Sequence, residues 1–496
     1  MPAESLRFSA AVAADLEDEL RRHLDRSDGQ EDICVATYAA STGSTRQTAV
    51  LTAIEHPKPG EREVHGNATI SGAYVLRVAR LAASRGEGIA ILHSHPTGIG
   101  WQGMSWLDFD AESSYANLAE QLTGLPLIGM TLATGDSSWS ARSWTAAGKP
   151  IWAENVRVVG ETLRVSWNDE LRPVPQPQPS QARTISAWGP TIQGSIARLR
   201  ILVVGVGSIG MDVAQRLAAA GIENVDVMDF DTVKTVNLDR LIGATRLDAA
   251  LARSKAAVAK RLIEQAATAH RFRGDARELS VCEPEGMAAA LDYDLIFSCV
   301  DRPWARGVLN SIAHADLVPV VDAGVSITPF DDGNGMRGAT YRTQIVRPGR
   351  PCLICSRQVD PGELAKERSG ALDDPRYIKN AGGQRLAGNE NVSLISASAS
   401  AHALAQFVSY TVGPGGRGEP GPLRFNFVTH SLVPTEAVTQ ANCRVEHQGK
   451  GGNHRSRLTG EHAAARRETA AREIARRRAI VRLREGLDLI VSRLQG

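Results

Sequence analysis

The chain has 496 residues, a formal net charge of +1, and 43% hydrophobic and 22% charged residues. That length exceeds a single core and indicates two to four domains, while the near-neutral charge supplies no global field to gather nucleic acid or an acidic membrane surface. MPAESLRFSA does not read as a secretory leader and no apolar run approaches the roughly 18 residues that span a bilayer, so a cytoplasmic location is expected; six dispersed cysteines make no disulfide framework.

In chain order, Phe8, Val12, Leu16, Leu20 and Leu24 recur at helical spacing and predict an opening amphipathic helix. Strands are expected at Ile33 to Tyr38 and Ala49 to Ile54, then a helix around Ala73 to Ser84. A strand from Gly88 to Leu92 runs into His93-Ser-His95-Pro96. Side chains alternate along a strand, so His93 and His95 share a side, as two ligands of one metal must. Ser105-Trp-Leu-Asp108 then adds a carboxylate and a hydroxyl. Two imidazoles, a carboxylate and an open position describe a catalytic zinc site, although an H-x-H pair by itself is also met as two ordinary strand histidines.

These residues resemble the JAMM (JAB/MPN) metalloprotease family, with its H-x-H-P followed by S-x-x-D. The resemblance implies a cytidine-deaminase-like α/β domain over residues 1–150, zinc on His93, His95 and Asp108, and Ser105 at the oxyanion. It also implies a general base on an early strand, which is Glu31, with the adjacent Asp32 as the alternative. The interval from His95 to Ser105 is slightly longer than the family's.

Strands near Val156 to Val159 and Leu163 to Trp167 form a hairpin, and Pro173 to Gln181, PVPQPQPSQ, favours polyproline II. Residues 151–182 therefore read as hairpin and linker. A second domain follows over 183–447. Its first strand, Ile201 to Val204, leads into a G-x-G-x-x-G turn at Gly205, Gly207 and Gly210 and then a helix, with Asp229 ending the next strand. Glycines let backbone approach a phosphate, the helix N-terminus favours negative charge, and the carboxylate suits ribose hydroxyls. The glycines alone favour an NAD-binding domain. Asn237, Arg240 and Lys255, and Asp301 after the strand Leu295 to Ser298, are what an enzyme splitting ATP between its α- and β-phosphates requires.

This block resembles the ubiquitin-activating-enzyme superfamily of the ThiF and MoeB type. The resemblance implies Asp229 on the ribose, Asn237, Arg240 and Lys255 on the phosphates, and Asp301 on Mg²⁺. Arg183 would reach the ATP of the partner subunit in a homodimer, or else is a solvated arginine at a helix start. Ser208 stands where the family often has glycine, and the interval from Arg240 to Lys255 carries a small insertion.

Further on, a helix is expected at Ala305 to His314, a strand from Val318 ending in Asp322-Ala-Gly324, a crossover loop at 358–392, a helix at Ser393 to Tyr410 and a last strand at Leu423 to His430. Cys352 and Cys355 resemble half of a structural zinc site, which Cys443 and His447 would complete; the alternative is a free thiol pair. Residues 356–442 contain no cysteine to carry a thioester. The tail, 448–496, reads as a flexible basic stretch and a helix whose Ile480, Leu483, Leu487, Ile490 and Leu494 form a docking or dimerising seam.

The fold class is thus α/β multidomain: a JAMM domain, a Rossmann-like mainly parallel adenylating domain and a C-terminal helix. The chain resembles JAMM–adenylating fusions of bacterial ubiquitin-like systems. That implies ATP, Mg²⁺ and Zn²⁺, a ubiquitin-like β-grasp partner, a conjugating enzyme or sulfur donor downstream, and antiviral defence as a purpose. Activation of a sulfur carrier through a thiocarboxylate and a non-catalytic scaffold are the alternatives. Nucleic acid and membrane partners are not expected.

Overall fold

The computed structural model describes residues 6–65, 67–373 and 390–477. Two sheets organise them. The first has nine strands: β1 (Arg7–Ala13), β2 (Ile33–Thr42), β3 (Arg46–Glu55), β6 (Gly88–His95), β7 (Ile128–Ala133), β8 (Ser138–Trp144), β9 (Pro150–Trp152), β10 (Asn155–Val159) and β11 (Leu163–Trp167), in the order β11-β10-β1-β3-β2-β6-β7-β8-β9. A small separate hairpin, β4 (Arg62–His65) and β5 (Asn67–Ile70), stands beside it. The second sheet contains β12 (Arg200–Val204), β13 (Asn224–Met228), β14 (Ala276–Arg277), β15 (Leu295–Ser298), β16 (Val320–Pro329), β17 (Met336–Val346), β18 (Leu423–Asn426) and β19 (Ser431–Pro434). Its order is β14-β13-β12-β15-β16-β17-β18-β19. β14 through β16 pair in parallel, and β17 to β19 add an antiparallel wing.

Several expectations are corrected. Phe8 and Val12 lie in β1 rather than in a helix, and only Ala14–Leu24 is helical. A strand covered on both faces reads as a continuous apolar run, whose spacing imitates a helix face. The hairpin β10–β11 is no spacer, because β10 pairs in parallel with β1. The first unit therefore reaches Trp167 instead of stopping at residue 150. The final strand ends at Asn426 and the chain returns as β19. The insertion between Arg240 and Lys255 is a short helix, Arg246–Ala250, opened by a Thr245–Asp248 capping box.

The two units share one interior. Val50, Val159, Leu163 and Trp167 of the first sheet belong to the same buried cluster as Ile201, Leu217 and Tyr410 of the second unit. Beside it, fully buried Asp294 accepts hydrogen bonds from Arg46 NH1 (2.7 Å), Arg157 NH1 (3.0 Å), Asn155 Nδ2 (3.2 Å) and the Arg200 amide (2.9 Å). Burial opposes the Asp294 charge, but the two guanidiniums outweigh it and hold the carboxyl below its usual range. Asp292 accepts from the backbone N–H groups of Thr45 (2.9 Å) and Arg46 (3.0 Å). Buried ions survive only when paired in this way.

The start of the tail, GKGGNHRSR, is not the flexible tether expected. Lys450 pairs with Asp15 (3.4 Å), Asn453 donates to Thr42 Oγ1 (2.9 Å), His454 Nε2 meets the Gly86 carbonyl (2.9 Å) and Arg455 donates to buried Asp316 (2.7 Å). The backbone is helical over 463–477, and the seam from Ile480 to Leu494 lies outside the described residues. Among the described residues no helix is long and apolar enough to cross a membrane.

Candidate active sites

The first candidate site lies where β6 ends. His93 and His95 project to one side, and Asp108 meets them from the first turn of helix Trp106–Thr123. The three ligand atoms all lie within 4.8 Å of one another. His93 Nε2 is 3.2 Å from His95 Nε2 and 3.5 Å from Asp108 Oδ1, and His95 Nε2 is 3.8 Å from Asp108 Oδ2. His95 Nδ1 donates to Gln102 Oε1 (3.1 Å), which leaves the Nε2 lone pair facing the cluster. Burial, with Arg142 behind it, pushes His93 down to about 3, so it is neutral. The bond to Asp108 raises His95, so in the absence of a cation these two share charge; two imidazoles and a carboxylate converging on one point are the donor types zinc takes.

Ser105 is the N-cap: its Oγ accepts from the Asp108 amide (3.2 Å), while Asp108 Oδ2 accepts from the Ser105 amide (2.8 Å). This reciprocal pair fixes the rotamer of Asp108. Glu31 is half-buried beside the cluster, close enough for the charges of His95 and Asp108 to act on it, and burial pushes its carboxyl up. Asp32 turns the other way, onto Arg62 NH1 (2.6 and 2.8 Å) and Arg26 NH1 (3.3 Å). Of the two carboxylates weighed as base, Glu31 is the one at the cluster.

Sequence reasoning missed what stands behind these ligands. Glu112, one turn after Asp108, is buried against Arg142 (Nε to Oε2, 2.8 Å) and accepts from Trp144 Nε1 (2.6 Å); Arg142 also donates to Thr131 Oγ1 (2.9 Å), which touches His93 Nε2 at 3.4 Å. The available signal was an arginine in the strand SWSARSW, flanked by tryptophans that mark it as buried, which demands a buried acid.

The second candidate site gathers at the C-terminal ends of β12, β13 and β15. Gly205 is left-handed (φ 85°), and a Cβ there would meet the Cys299 carbonyl at 2.8 Å. A Cβ on Gly210 would collide with the Gly205 carbonyl, so this glycine seats helix Ser208–Ala219 against the turn. At Gly207 a Cβ would meet nothing within 4 Å, which leaves the open cradle that a phosphate chain needs. Asp229 accepts from the amides of Val206 (2.9 Å) and Asp231 (2.8 Å), and burial pushes it up to about 6.

Lys255, the first residue of helix Lys255–Ala266, rests on Asp231 Oδ2 at 2.7 Å. Burial opposes its charge, but Asp229, Asp231 and Asp301 together hold the ammonium above its ordinary range. Glycine loop, Asp229, Lys255 and Asp301 thus come together. Asn237 and Arg240 stand aside on the turn Thr235–Asn237 and the residues after it: Asn237 Oδ1 accepts from the Lys234 amide (2.9 Å), and Arg240 NH1 donates to the Val236 carbonyl (2.6 Å) and Asp239 (2.9 Å). Arg183 is exposed on helix Ala182–Trp188. Its near neighbour Gln181 bonds to Thr268 (3.3 Å), whose hydroxyl donates to the Ala219 carbonyl (3.0 Å) at the opposite end of the helix that the glycine turn starts, so Arg183 does not join this chain's own site.

The third cluster is Cys352, Cys355 and Cys443, all buried, with sulfur atoms within 4.8 Å of one another. Cys352 and Cys443 are 3.5 Å apart, and Cys355 Sγ accepts from the Gln440 amide at 3.4 Å. His447 does not complete the set: it is exposed, and its Nε2 meets the Ala441 carbonyl (3.1 Å) at the end of helix Arg444–His447. Three of the four expected ligands are therefore together. Of the six cysteines, five are buried and Cys299 is half-buried beneath the glycine turn.

Comparison with known proteins fits the second site. A model of the ThiF family matches residues 180–408. SUMO-activating enzyme subunit 2 of Dictyostelium discoideum is 27% identical over 187 residues, covering 36% of this chain and 25% of that protein. Molybdopterin-synthase adenylyltransferase of Escherichia coli (strain K12) is 29% identical over 191 residues, covering 36% of this chain and 68% of that protein. A crystal structure of E. coli MccB with ATP aligns at TM-score 0.42 and 15% identity over 54% of this chain and 74% of that one, too loosely to bear on the site. The chain spans 22% to 40% of the length of several of the activating-enzyme subunits it matches. Residues 180–408 are thus the part of the chain that resembles adenylating domains of the ThiF type.

Proposed function

We propose that this protein adenylates the C-terminal glycine carboxylate of a small ubiquitin-like protein and, with its first unit, hydrolyses a peptide or isopeptide bond at the same tail. The observation that carries the first activity is the open cradle at Gly207 flanked by Asp229, Lys255 and Asp301. A carboxylate oxygen of the tail attacks the α-phosphorus of ATP, the bond from that phosphorus to the bridging oxygen breaks, and pyrophosphate leaves with the electron pair. Amides of the glycine turn and the start of helix Ser208–Ala219 face the phosphates. Lys255 exchanges Asp231 for the polyphosphate and offsets charge as the α-phosphorus becomes five-coordinate. Asp229 accepts from the ribose. Asp301 would hold Mg²⁺, which would neutralise the leaving pyrophosphate. Asn237 and Arg240 swing in when the triphosphate supplies a better partner than Asp239.

For the peptidase, support is the convergence of His93, His95 and Asp108 beside Glu31. Zinc there would supply the Lewis acidity that makes water a nucleophile near neutral pH. Glu31 takes the proton of the attacking water and gives it to the departing amine, and the Ser105 hydroxyl donates to the oxyanion. Because no cysteine is exposed, the acyl-adenylate passes to a sulfur or amine on another protein. The same fact leaves room for a second reading, in which the cargo is a sulfur carrier and the acceptor a sulfur donor.

The test is intact mass spectrometry of a β-grasp protein with residues beyond its terminal glycine, incubated with enzyme, zinc and MgATP. Loss of the extension blocked by His95→Ala, and a gain of AMP blocked by Asp301→Ala, are expected. No mass change across a panel of such proteins, with no pyrophosphate exchange, would leave a scaffold.

A further inference from the structure

The tail returns to the second candidate site. After Gly460, whose amide donates to the Cys282 carbonyl (2.9 Å), His462 is buried with its ring between Phe230 (centroids 5.0 Å) and Trp304 (5.1 Å), and its Nδ1 is 2.7 Å from Ser280 Oγ. Phe230 follows Asp229, and Trp304 is three residues beyond Asp301, so one imidazole touches both walls of the nucleotide site. Two turns on, Glu468 Oε1 accepts from the Thr232 amide (3.1 Å) and from the Thr232 hydroxyl, while Oε2 meets Lys234 Nζ at 3.2 Å. His462, Ala465, Glu468 and Arg472, spaced three or four apart, form the docked face, and Arg472 pairs with Glu278 at 3.0 Å.

We infer that residues 461–477 are a clasp on the nucleotide site, with Glu468 a positioning residue that sets the 229–237 loop for MgATP; this rests on the adenylation reading. The middle of the loop is pinned by backbone, with the Val233 amide on the Arg253 carbonyl (2.8 Å) and the Lys255 amide on the Asp231 carbonyl (2.9 Å), and Glu468 holds what those bonds leave free, the Thr232 amide and the Lys234 side chain. Between Asp229, which would hold the ribose, and Asn237 and Arg240, which would swing in to the phosphates, the chain runs through Thr232 and Lys234, and both are held by one carboxylate from over 230 residues away. The Lys234 amide in turn donates to Asn237 Oδ1, so the position of Glu468 reaches the phosphate-facing turn through a single further hydrogen bond. Without Glu468 the amide of Thr232 loses its acceptor and Lys234 its carboxylate, and MgATP must fix Lys234 and the turn after it at the expense of its own affinity.

The experiment is calorimetric titration of the full chain with MgATP, comparing wild type, Glu468→Ala and Glu468→Gln, with thermal unfolding of each in the absence of nucleotide. Losing a charge-assisted bond to the loop should weaken MgATP binding by about tenfold in Glu468→Ala. Glu468→Gln, whose amide oxygen still accepts from Thr232, should recover most of it, and the unfolding temperatures should coincide. A Glu468→Ala protein that binds as tightly as wild type, or one whose affinity falls only together with its unfolding temperature and is not rescued by Gln, overturns the clasp. Wild type that fails to bind MgATP overturns the adenylation reading as well, and so separates the two failures.

Discussion

The two candidate sites occupy equivalent places, the end of a strand facing the first turn of a following helix, but they are held in opposite ways. In the first, every candidate ligand is fixed from behind: His95 by Gln102, Asp108 by its cap with Ser105, and His93 by a buried Arg142–Glu112 pair acting through Thr131. In the second, the charged groups are paired with one another. Lys255 lies on Asp231, Arg240 on Asp239, and Asn237 on its own turn. A small cation that binds three donors needs them waiting in place, because each ligand offers one atom and one direction. A polyphosphate brings several charges of its own and can exchange internal ion pairs for better ones, so its site can be stored closed.

That contrast can be broken outright at the interface both sites depend on. Asp294→Ala leaves Arg46 and Arg157 buried without their acid and should cost about 3–5 kcal/mol. Because the units share a core, differential scanning calorimetry should show one transition moving down for the whole chain, with both activities lost together. Two transitions, only one of them displaced, would mean that the units are independent.

Lys255→Ala sharpens it from one side. Adenylate formation, followed by pyrophosphate release, should fall about 10²–10³-fold, while zinc-dependent removal of a tail extension is unchanged. Gln102→Ala sharpens it from the other side. Zinc affinity in a metal-buffered titration should weaken about 10–100-fold, because the Nδ1 proton of His95 loses its acceptor, with MgATP binding unaltered.

The smallest effect concerns pH. Burial raises Asp229 to about 6 in the free protein, so the carboxylate form that accepts from ribose predominates above that pH and the protonated form below it. Binding that needs the carboxylate must expel a proton at low pH, and affinity for MgATP should fall up to about tenfold between pH 7 and 5. Dividing the wild-type affinity by that of Asp229→Asn removes the titration of ATP itself; a ratio that does not change with pH would sink this assignment.

What could be read from the chain follows the range of the interactions. His93 and His95 were legible because strand alternation is a local rule, Asp108 because S-x-x-D is both a ligand motif and a capping box, and the glycine turn because Gly205 must adopt a positive φ. The opening strand was misread, since burial on both faces erases the alternation that identifies a strand. Glu31 and Asp32 could not be told apart until Arg62 and Arg26 claimed Asp32. His447 failed because spacing fixes only reach, not direction: helix Arg444–His447 points its ring at a carbonyl. The docking of His462 and Glu468 has no local signature, as their partners lie more than 150 residues away.

That five cysteines are buried and Cys299 half-buried, with none exposed, has a kinetic consequence. An enzyme that moves its cargo to its own thiol frees the adenylation site and can begin a second cycle at once. If this chain adenylates as proposed, the mixed anhydride would stay where it is made. Each site should release one equivalent of pyrophosphate in a rapid burst and then stop, apart from slow hydrolysis. Steady turnover should begin only when an outside nucleophile is added, at a rate set by its concentration.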